Sequence, residues 1–146
     1  MRQADSGKKK WSVLIVEDEV LQAKAIARYL ELKGHKTETC HDGALAMERL
    51  KACKFDVLVT DLELPSVNGR TLAEWGLRHG GLRRVVVVSG SLRRNPIAGA
   101  GGRVKWVPKP FTLEELLDCV EETPDTEQEC VDPKTAGSPP GKAEIK

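Results

Sequence analysis

Short, continuous apolar runs separated by helical patterns constrain this chain more than any other feature. Residues 13–16, 56–60 and 85–88 each contain three or four consecutive valine, leucine or isoleucine residues. Such runs are typical of strands that are buried on both faces, because a strand with one solvated face alternates apolar and polar residues. Weaker strand patterns at residues 36–40 and 104–107 bring the expected number of strands to five.

Helical patterns lie between these strands. Gly34 ends the first helix, Asp42 can cap the second, and residues 70–79 form a third that ends at a glycine pair. Thr112 and Glu115 have the spacing of a capping box, which opens the last helix. The apolar positions expected to face the core are Ala23, Ile26, Ala27, Leu30, Met47, Leu50, Cys53, Leu113, Leu116, Leu117 and Val120. Strands that alternate with helices predict a doubly wound α/β fold, a parallel sheet with helices on both faces.

The composition of the two ends sets the expected domain bounds. Residues 1–10 and 123–146 are polar, and the second stretch is rich in proline and glycine, so we expect flexible tails around one domain of residues 11–122. Residues 91–103 contain one proline and three glycines. These disfavour a helix by about 3 kcal/mol for the proline and about 1 kcal/mol for each glycine. A fourth helix in this stretch should therefore be short or irregular, with Leu92 and Ile97 as its anchors.

Charge and hydropathy exclude several classes of protein. The 23 Lys and Arg residues nearly balance the 22 Asp and Glu residues, for a net charge of +1. Binders of nucleic acid or of a membrane surface usually carry a basic excess. No apolar stretch approaches the roughly 18 residues of a membrane helix. We therefore expect a cytoplasmic protein without nucleic-acid or membrane contacts.

The cysteines favour a reducing compartment. The chain holds four, and no two of them form a C-x-x-C pair or stand at ligand spacing with a histidine. We therefore expect free, partly buried thiols and no zinc site. The four are Cys40, Cys53, Cys119 and Cys130.

Polar side chains follow the ends of four predicted strands. The first strand ends at Glu17-Asp18, the third at Asp61 and the fourth at Ser89, and Lys109 follows the fifth. Carboxyl ends of parallel strands share one edge of the sheet, where ligands bind in open α/β folds. Three carboxylates that close together repel one another unless a hard divalent cation intervenes, and Mg²⁺ uses such ligands together with phosphate oxygen. The pattern predicts a Mg²⁺-dependent phosphoryl site.

Four motifs carry a family resemblance. They are V-L-I-V-E-D-E at residues 13–19, D-V-L-V-T-D-L-E-L-P-S-V-N-G at 56–69, V-V-V-V-S-G at 85–90 and V-P-K-P-F at 107–111. In this order and spacing they resemble the receiver domain of bacterial two-component response regulators, over about residues 12–122. The resemblance implies a flavodoxin-like fold with five parallel strands in the order 2-1-3-4-5.

The same resemblance implies a role for each acidic residue. Asp61 matches the phosphoacceptor, whose carboxylate attacks the phosphorus of a phosphohistidine. Asp18 matches a direct ligand of Mg²⁺ or Mn²⁺, with Asp61 itself and the main-chain carbonyl of Glu63 as further ligands. Glu17 matches a residue that acts on the metal through water. Lys109 would pair with a phosphoryl oxygen.

Further positions match residues that shape the site or transmit its state. Ser89 would hydrogen-bond the phosphoryl group, and Gly90 would leave room for the donor. The resemblance implies a cis peptide bond between Lys109 and Pro110, and Pro65 and Gly69 would shape the loop after the phosphoacceptor. Trp106 occupies the position of a switch residue that in the family is Tyr, Phe or His. An indole is bulkier than these rings. The Trp106 ring could therefore turn only part of the way inward, or it could stay fixed, and both alternatives remain at this point.

These implications favour a stand-alone receiver that a sensor histidine kinase or a histidine phosphotransfer protein phosphorylates. It would signal to a protein target by contact and would not be a conventional enzyme. Three alternatives remain at this point: a receiver cut from a hybrid histidine kinase or another multidomain protein, a docking module that works without phosphorylation, and a haloacid-dehalogenase-like phosphatase. The last is disfavoured because that family places its nucleophile after the first strand, whereas Asp61 follows the third.

Overall fold

The computed structural model describes residues 10–90, 97 and 100–122. The described residues form five strands and four helices. Their bounds are β1 Ser12–Val16, α1 Val20–Leu32, β2 Lys36–Cys40, α2 Gly43–Ala52, β3 Val57–Asp61, α3 Gly69–His79, β4 Arg84–Ser89, β5 Val104–Pro108 and α4 Leu113–Glu121. The predicted tails, apart from Lys10, lie outside the described residues, so the predicted domain bounds stay a prediction.

The five strands form one parallel sheet in the order β2-β1-β3-β4-β5. The predicted flavodoxin-like, doubly wound fold is therefore confirmed. From β1 the chain moves to one side to add β2 and then to the other side to add β3. The strand order thus reverses between β1 and β3, and in such sheets the crevice at this reversal is where ligands bind.

Two apolar clusters cover the two faces of the sheet. Helices α2 and α3 pack on one face, where Leu50, Leu72 and Leu58 are buried. Helices α1 and α4 pack on the other, where Ile26 and Leu116 are buried. Each such side chain stabilises the fold by about 1.5–3 kcal/mol through its burial. These clusters hold the strand ends in place and so position the residues that follow them.

Side-chain caps start three of the four helices. Asp42 accepts a hydrogen bond from Leu45 N–H at 2.9 Å, and Asn68 accepts one from Thr71 N–H at 2.9 Å. The capping box of Thr112 is present at the start of α4, as predicted. Each cap satisfies backbone donors that the first turn of a helix leaves unpaired. Helix α3 begins at Gly69, one residue before the predicted start.

One expected core position, Cys53, differs in the structure. Cys53 was expected on the apolar face of α2, but it lies just beyond the helix and is exposed. Its backbone is extended, with φ −131° and ψ 158°, so its side chain no longer follows the apolar face of the helix. Ala27 is partly buried and packs against the cluster on the α1–α4 face, so its predicted core-facing position is confirmed.

The stretch between β4 and β5 is described only in part. Residues 91–96 and 98–99, where we expected a short or irregular fourth helix, lie outside the described residues. Ile97 is buried in the cluster on the α2–α3 face, so its predicted role as an anchor is confirmed. Among the residues that the structure describes, no helix is both long and apolar enough to cross a bilayer.

Candidate functional site

Three carboxylates meet at the point where the strand order reverses. Glu17 and Asp18 directly follow β1, and Asp61 is the last residue of β3, the neighbouring strand. One carboxylate oxygen from each lies within 4.8 Å of one from each of the others. Glu17 and Asp61 are buried and Asp18 is exposed. The predicted convergence of these acids is therefore present, with two of them withdrawn from water.

Lys109 directs its ammonium group into this acidic cluster. Its Nζ donates a hydrogen bond to Asp61 Oδ2 at 2.8 Å. Its backbone N–H donates to Ser89 O at 2.9 Å, which fixes the residue to the end of β4. The Lys109–Pro110 peptide bond is cis, as the resemblance implied. One ammonium thus faces three carboxylates, and the cluster keeps an excess of negative charge.

The protonation of Glu17 and Lys109 reflects this crowding. Burial raises the pKa of the Glu17 carboxyl above its ordinary value, and the charges of Asp61 and Asp18 add to the rise. The hydrogen bond from Glu19 N–H, at 3.1 Å, opposes it. Burial lowers the pKa of Lys109, but its hydrogen bond and attraction to Asp61 outweigh this effect and raise it overall. The site therefore favours added positive charge.

The Asp61 side chain is held at both of its oxygens. Oδ2 accepts from Lys109, and Oδ1 accepts a hydrogen bond from Glu63 N–H at 3.2 Å. The loop that carries Glu63 is itself held by a hydrogen bond from Gly69 N–H to Leu62 O at 2.9 Å. Because hydrogen bonds hold both oxygens, the carboxylate is oriented towards Glu17 and Asp18 before a ligand binds.

Two glycines make close backbone contacts with the loop after Asp61 or with the end of β3. A Cβ on Gly69 would lie 2.1 Å from the carbonyl oxygen of Asp61, and one on Gly43 would lie 1.6 Å from that of Val67. Ser66, which has a positive φ of 65°, accepts a hydrogen bond from Ala44 N–H at 3.1 Å. These contacts leave no room for a side chain at either glycine and join the loop to the start of α2.

Ser89 and Trp106 lie on the same face of the sheet. Ser89 ends β4 and is buried. The register pairs Val87 with Trp106 and Ser89 with Pro108, so Ser89 and Trp106 are diagonal neighbours. Trp106 is half-buried and packs against the cluster on the α2–α3 face. A Cβ on Gly90 would meet nothing within 4 Å, so the strand end is open there.

The structure brings the predicted site residues together at one edge of the sheet, with Trp106 set back along β5. It also shows one neighbour that the sequence analysis missed. His41 Nδ1 donates a hydrogen bond to Glu17 O at 3.0 Å. His41 directly follows β2 at the same edge of the sheet, so its position after a strand end was the signal that could have found it. Its contact helps to fix the backbone from which Glu17 and Asp18 project.

The donor set fits a hard divalent cation. Carboxylate oxygens are the ligands that Mg²⁺ and Mn²⁺ take, and Mg²⁺ retains several waters when a protein supplies only one or two of them. Asp18 and Asp61 have the oxygens to bind such an ion directly. Burial raises the pKa of Glu17, and the charges of Asp61 and Asp18 add to this rise. Among the described residues, this is the one cluster of three or more potential ligands.

Comparison with protein families gives one match. The family model described as the response regulator receiver domain matches residues 13–121. The match includes the five strands, apart from Ser12, and every residue of the acidic cluster.

Similar proteins are known from curated sequences and solved structures. The chain is 35% identical over 107 residues to the transcriptional regulatory protein CutR of Streptomyces coelicolor, covering 72% of this chain and 49% of that protein. It is 32% identical over 108 residues to the response regulator MprA of Mycobacterium ulcerans, covering 72% of this chain and 46% of that protein. The chain thus spans about half the length of the curated relatives it matches.

A solved structure shares the fold and shows a modified site. This is a response regulator protein from Burkholderia pseudomallei with a phosphorylated aspartic acid, a calcium ion and citrate. It is 26% identical with a TM-score of 0.62, over 82% of this chain and 70% of that one.

Proposed function

Because this chain belongs to the family of response regulator receiver domains, we propose that Asp61 accepts a phosphoryl group from a sensor histidine kinase or a histidine phosphotransfer protein. The observation that carries this proposal is the buried Asp61 carboxylate, held by Lys109 beside two further acids. The chain then acts as a phosphorylation-gated switch and not as a conventional turnover enzyme.

The residues of the site divide the chemistry between them. A carboxylate oxygen of Asp61 forms the new bond to phosphorus while the bond from phosphorus to the donor histidine nitrogen breaks. The hydrogen bond from Glu63 N–H holds Oδ1 of the carboxylate in place, and the strand end at Gly90 is open. Lys109 then pairs with a phosphoryl oxygen, and the Ser89 hydroxyl donates to another. Positive charge and hydrogen-bond donors beside the acceptor stabilise the transferring group.

Asp18, Asp61 and the main-chain carbonyl of Glu63 would hold the divalent cation, and Glu17 would contact it through water. When bound, Mg²⁺ supplies positive charge that neutralises the phosphoryl oxygens. Asp18 is exposed and gives solvent and an ion access to the cluster, whereas Glu17 and Asp61 are buried.

Incubation with Mg²⁺ and a small phosphodonor, followed by intact mass, tests this proposal. We expect a mass gain of one phosphoryl group that requires the metal. The absence of any gain, with a folded protein and a donor active on another receiver, would favour the docking module that works without phosphorylation.

The partners downstream are also proposals. CutR is named as a transcriptional regulatory protein, and this chain spans only half of such relatives, so the comparisons do not support the expectation that nucleic acid is absent from its function. We propose that the receiver signals through protein contact, either to a separate target or to another part of a longer polypeptide such as a hybrid kinase. The cytoplasmic location stays a prediction.

Metal binding should depend unequally on the two acids after β1. We expect saturating Mg²⁺ to raise the melting temperature of the wild type, because the ion binds only the folded state. Asp18→Asn should weaken Mg²⁺ binding by about 100-fold, and Glu17→Gln by about tenfold, the range for a residue outside the direct ligand set. Titration of the melting temperature with Mg²⁺ measures both effects. Glu48→Gln, an exposed acid on α2, is the control; equal losses in all three variants would refute the assignment.

Trp106 should report the phosphorylated state. When Ser89 moves toward the phosphoryl oxygens, space opens on the face where Trp106 lies, and the indole turns part of the way into it. We expect a change in Trp106 emission when a phosphoryl mimic binds, and no change in Ser89→Ala. The measurement needs a background in which Trp11 and Trp75 are Phe. An unchanged emission despite complete phosphorylation would mean that Trp106 is a fixed ring.

A further inference from the structure

Two cations are buried at the edge of the sheet that lies opposite the acidic cluster. Arg84 is the first residue of β4 and is 5% exposed, and Lys105 is the second residue of β5 and is 6% exposed. The register places Lys105 beside Val86, two residues from Arg84 and on the same face of the sheet. That face is covered by α1 and α4. We refer to Arg84 and Lys105 as the cation pair.

The described residues do not satisfy the cation pair. Lys105 Nζ lies 2.8 Å from Glu122 Oε1, an ion pair without hydrogen-bond geometry. Arg84 Nη1 has no hydrogen-bond partner among the described residues. Burial lowers the pKa of the Arg84 guanidinium, and Glu122 opposes this only in part. A buried donor that lacks an acceptor costs about 1–3 kcal/mol, and more when it is charged. One carboxylate therefore serves two buried cations.

Other ionisable groups near the cation pair are engaged, positively charged, neutral or exposed to solvent. Glu121 pairs with His35 Nε2 at 2.9 Å. Arg83 stacks on the Trp11 ring, 4.4 Å from its centroid, and adds positive charge. Burial raises the pKa of Cys119 to about 11, so this thiol is neutral at physiological pH and supplies no counter-charge. Asp118 is exposed on α4.

The residues that follow Glu122 carry negative charges that could balance the cation pair. Residues 123–132, here called the acidic segment, contain Asp125, Glu127, Glu129 and Asp132 and no lysine or arginine. Glu122, at the end of α4, already contacts the cation pair. An extended chain advances at most about 3.5 Å per residue, so the tether from Glu122 to Asp125 spans at most about 10 Å. A tether this short gives the carboxylates a high effective concentration at the pair.

We propose that the acidic segment docks on the cation pair, with one of its carboxylates accepting hydrogen bonds from Arg84 and sharing Lys105 with Glu122. A carboxylate with two oxygens suits the forked donors of a guanidinium. This contact fixes where the chain leaves the domain, at the edge of the sheet opposite Asp61. It also directs whatever follows residue 132 away from the phosphorylation site.

A thermodynamic cycle on the full chain tests the docking. One variant neutralises the segment by Asp125→Asn, Glu127→Gln, Glu129→Gln and Asp132→Asn. We expect it to lower the melting temperature of the wild type by about 4 °C. In an Arg84→Met background the same four changes should lower it by less than about 1 °C, because the partner is already removed. Methionine fills a similar volume without a charge, and such replacements are tolerated in buried ion pairs.

Three outcomes would overturn the proposal. The first is a neutralised segment that melts like the wild type. The second is an equal loss in the wild-type and Arg84→Met backgrounds, with Lys105→Met as the replacement background if Arg84→Met does not fold. The third is a wild type that inorganic phosphate stabilises while segment neutralisation has no effect, because the cation pair would then take a separate anion. As a direct readout, the NMR signal of the Arg84 side-chain Nε–H should shift when the segment is neutralised and stay unchanged if the segment does not touch it.

Discussion

Asp61→Asn is expected to abolish the gain of a phosphoryl group from a small phosphodonor in the presence of Mg²⁺. Asparagine keeps the shape of the side chain and an oxygen for the hydrogen bond from Glu63 N–H. It lacks the anionic oxygen that attacks phosphorus, and it removes one of the carboxylates of the metal site. Intact mass after incubation measures the effect, and far-ultraviolet circular dichroism verifies the fold.

The control for this variant is Glu48→Gln, which removes an exposed carboxylate on α2. It should gain the phosphoryl group to the same extent as the wild type. If the Asp61→Asn protein still gains a phosphoryl mass, another residue is the acceptor and the assignment of Asp61 is wrong.

Gly69→Ala is expected to cause a large loss of stability. The new Cβ would lie 2.1 Å from the carbonyl oxygen of Asp61, a backbone atom that cannot move without shifting the end of β3. We expect the free energy of unfolding to fall by about 3 kcal/mol. For a domain of this size that corresponds to a melting temperature lower by about 10 °C. Phosphorylation should also slow, because the displaced carbonyl belongs to the phosphoacceptor.

Gly90→Ala is the matched control for this substitution. It makes the same chemical change at the end of β4, where a Cβ would meet nothing within 4 Å. We expect its free energy of unfolding to change by less than about 1 kcal/mol. Similar losses in the two variants would mean that the close approach at Gly69 does not govern stability.

The fold could be predicted from the sequence because strands that are buried on both faces appear as continuous apolar runs. Three runs of apolar residues fall within a residue or two of β1, β3 and β4, and β2 matches its predicted bounds. Caps at Asp42 and Thr112 were also found from local spacing alone. The resemblance to receiver domains, stated from four motifs, is confirmed by the family match over residues 13–121. The roles of the individual site residues stay predictions.

Other features were beyond the reach of sequence patterns because they depend on contacts between distant segments. His41 and Glu17 are joined across two neighbouring strands. The unpaired donor of Arg84 depends on how α4 covers β4, and no local pattern reports whether a charged residue at a strand end is buried. Cys53 fitted the helical spacing of α2 but lies past the end of that helix and is exposed.

The sequence by itself determined the order and type of the elements and which residues follow each strand, because apolar period, caps and turn residues act over a few neighbouring positions. Only the tertiary structure decided how close those residues come and how much water they lose. The 2.8 Å contact between Lys109 and Asp61, the burial of Glu17 and the close approach at Gly69 all arise from packing two layers of helices on one twisted sheet. Electrostatic energies depend on the distance between charges and on the exclusion of water, and local sequence patterns predict neither of these quantities.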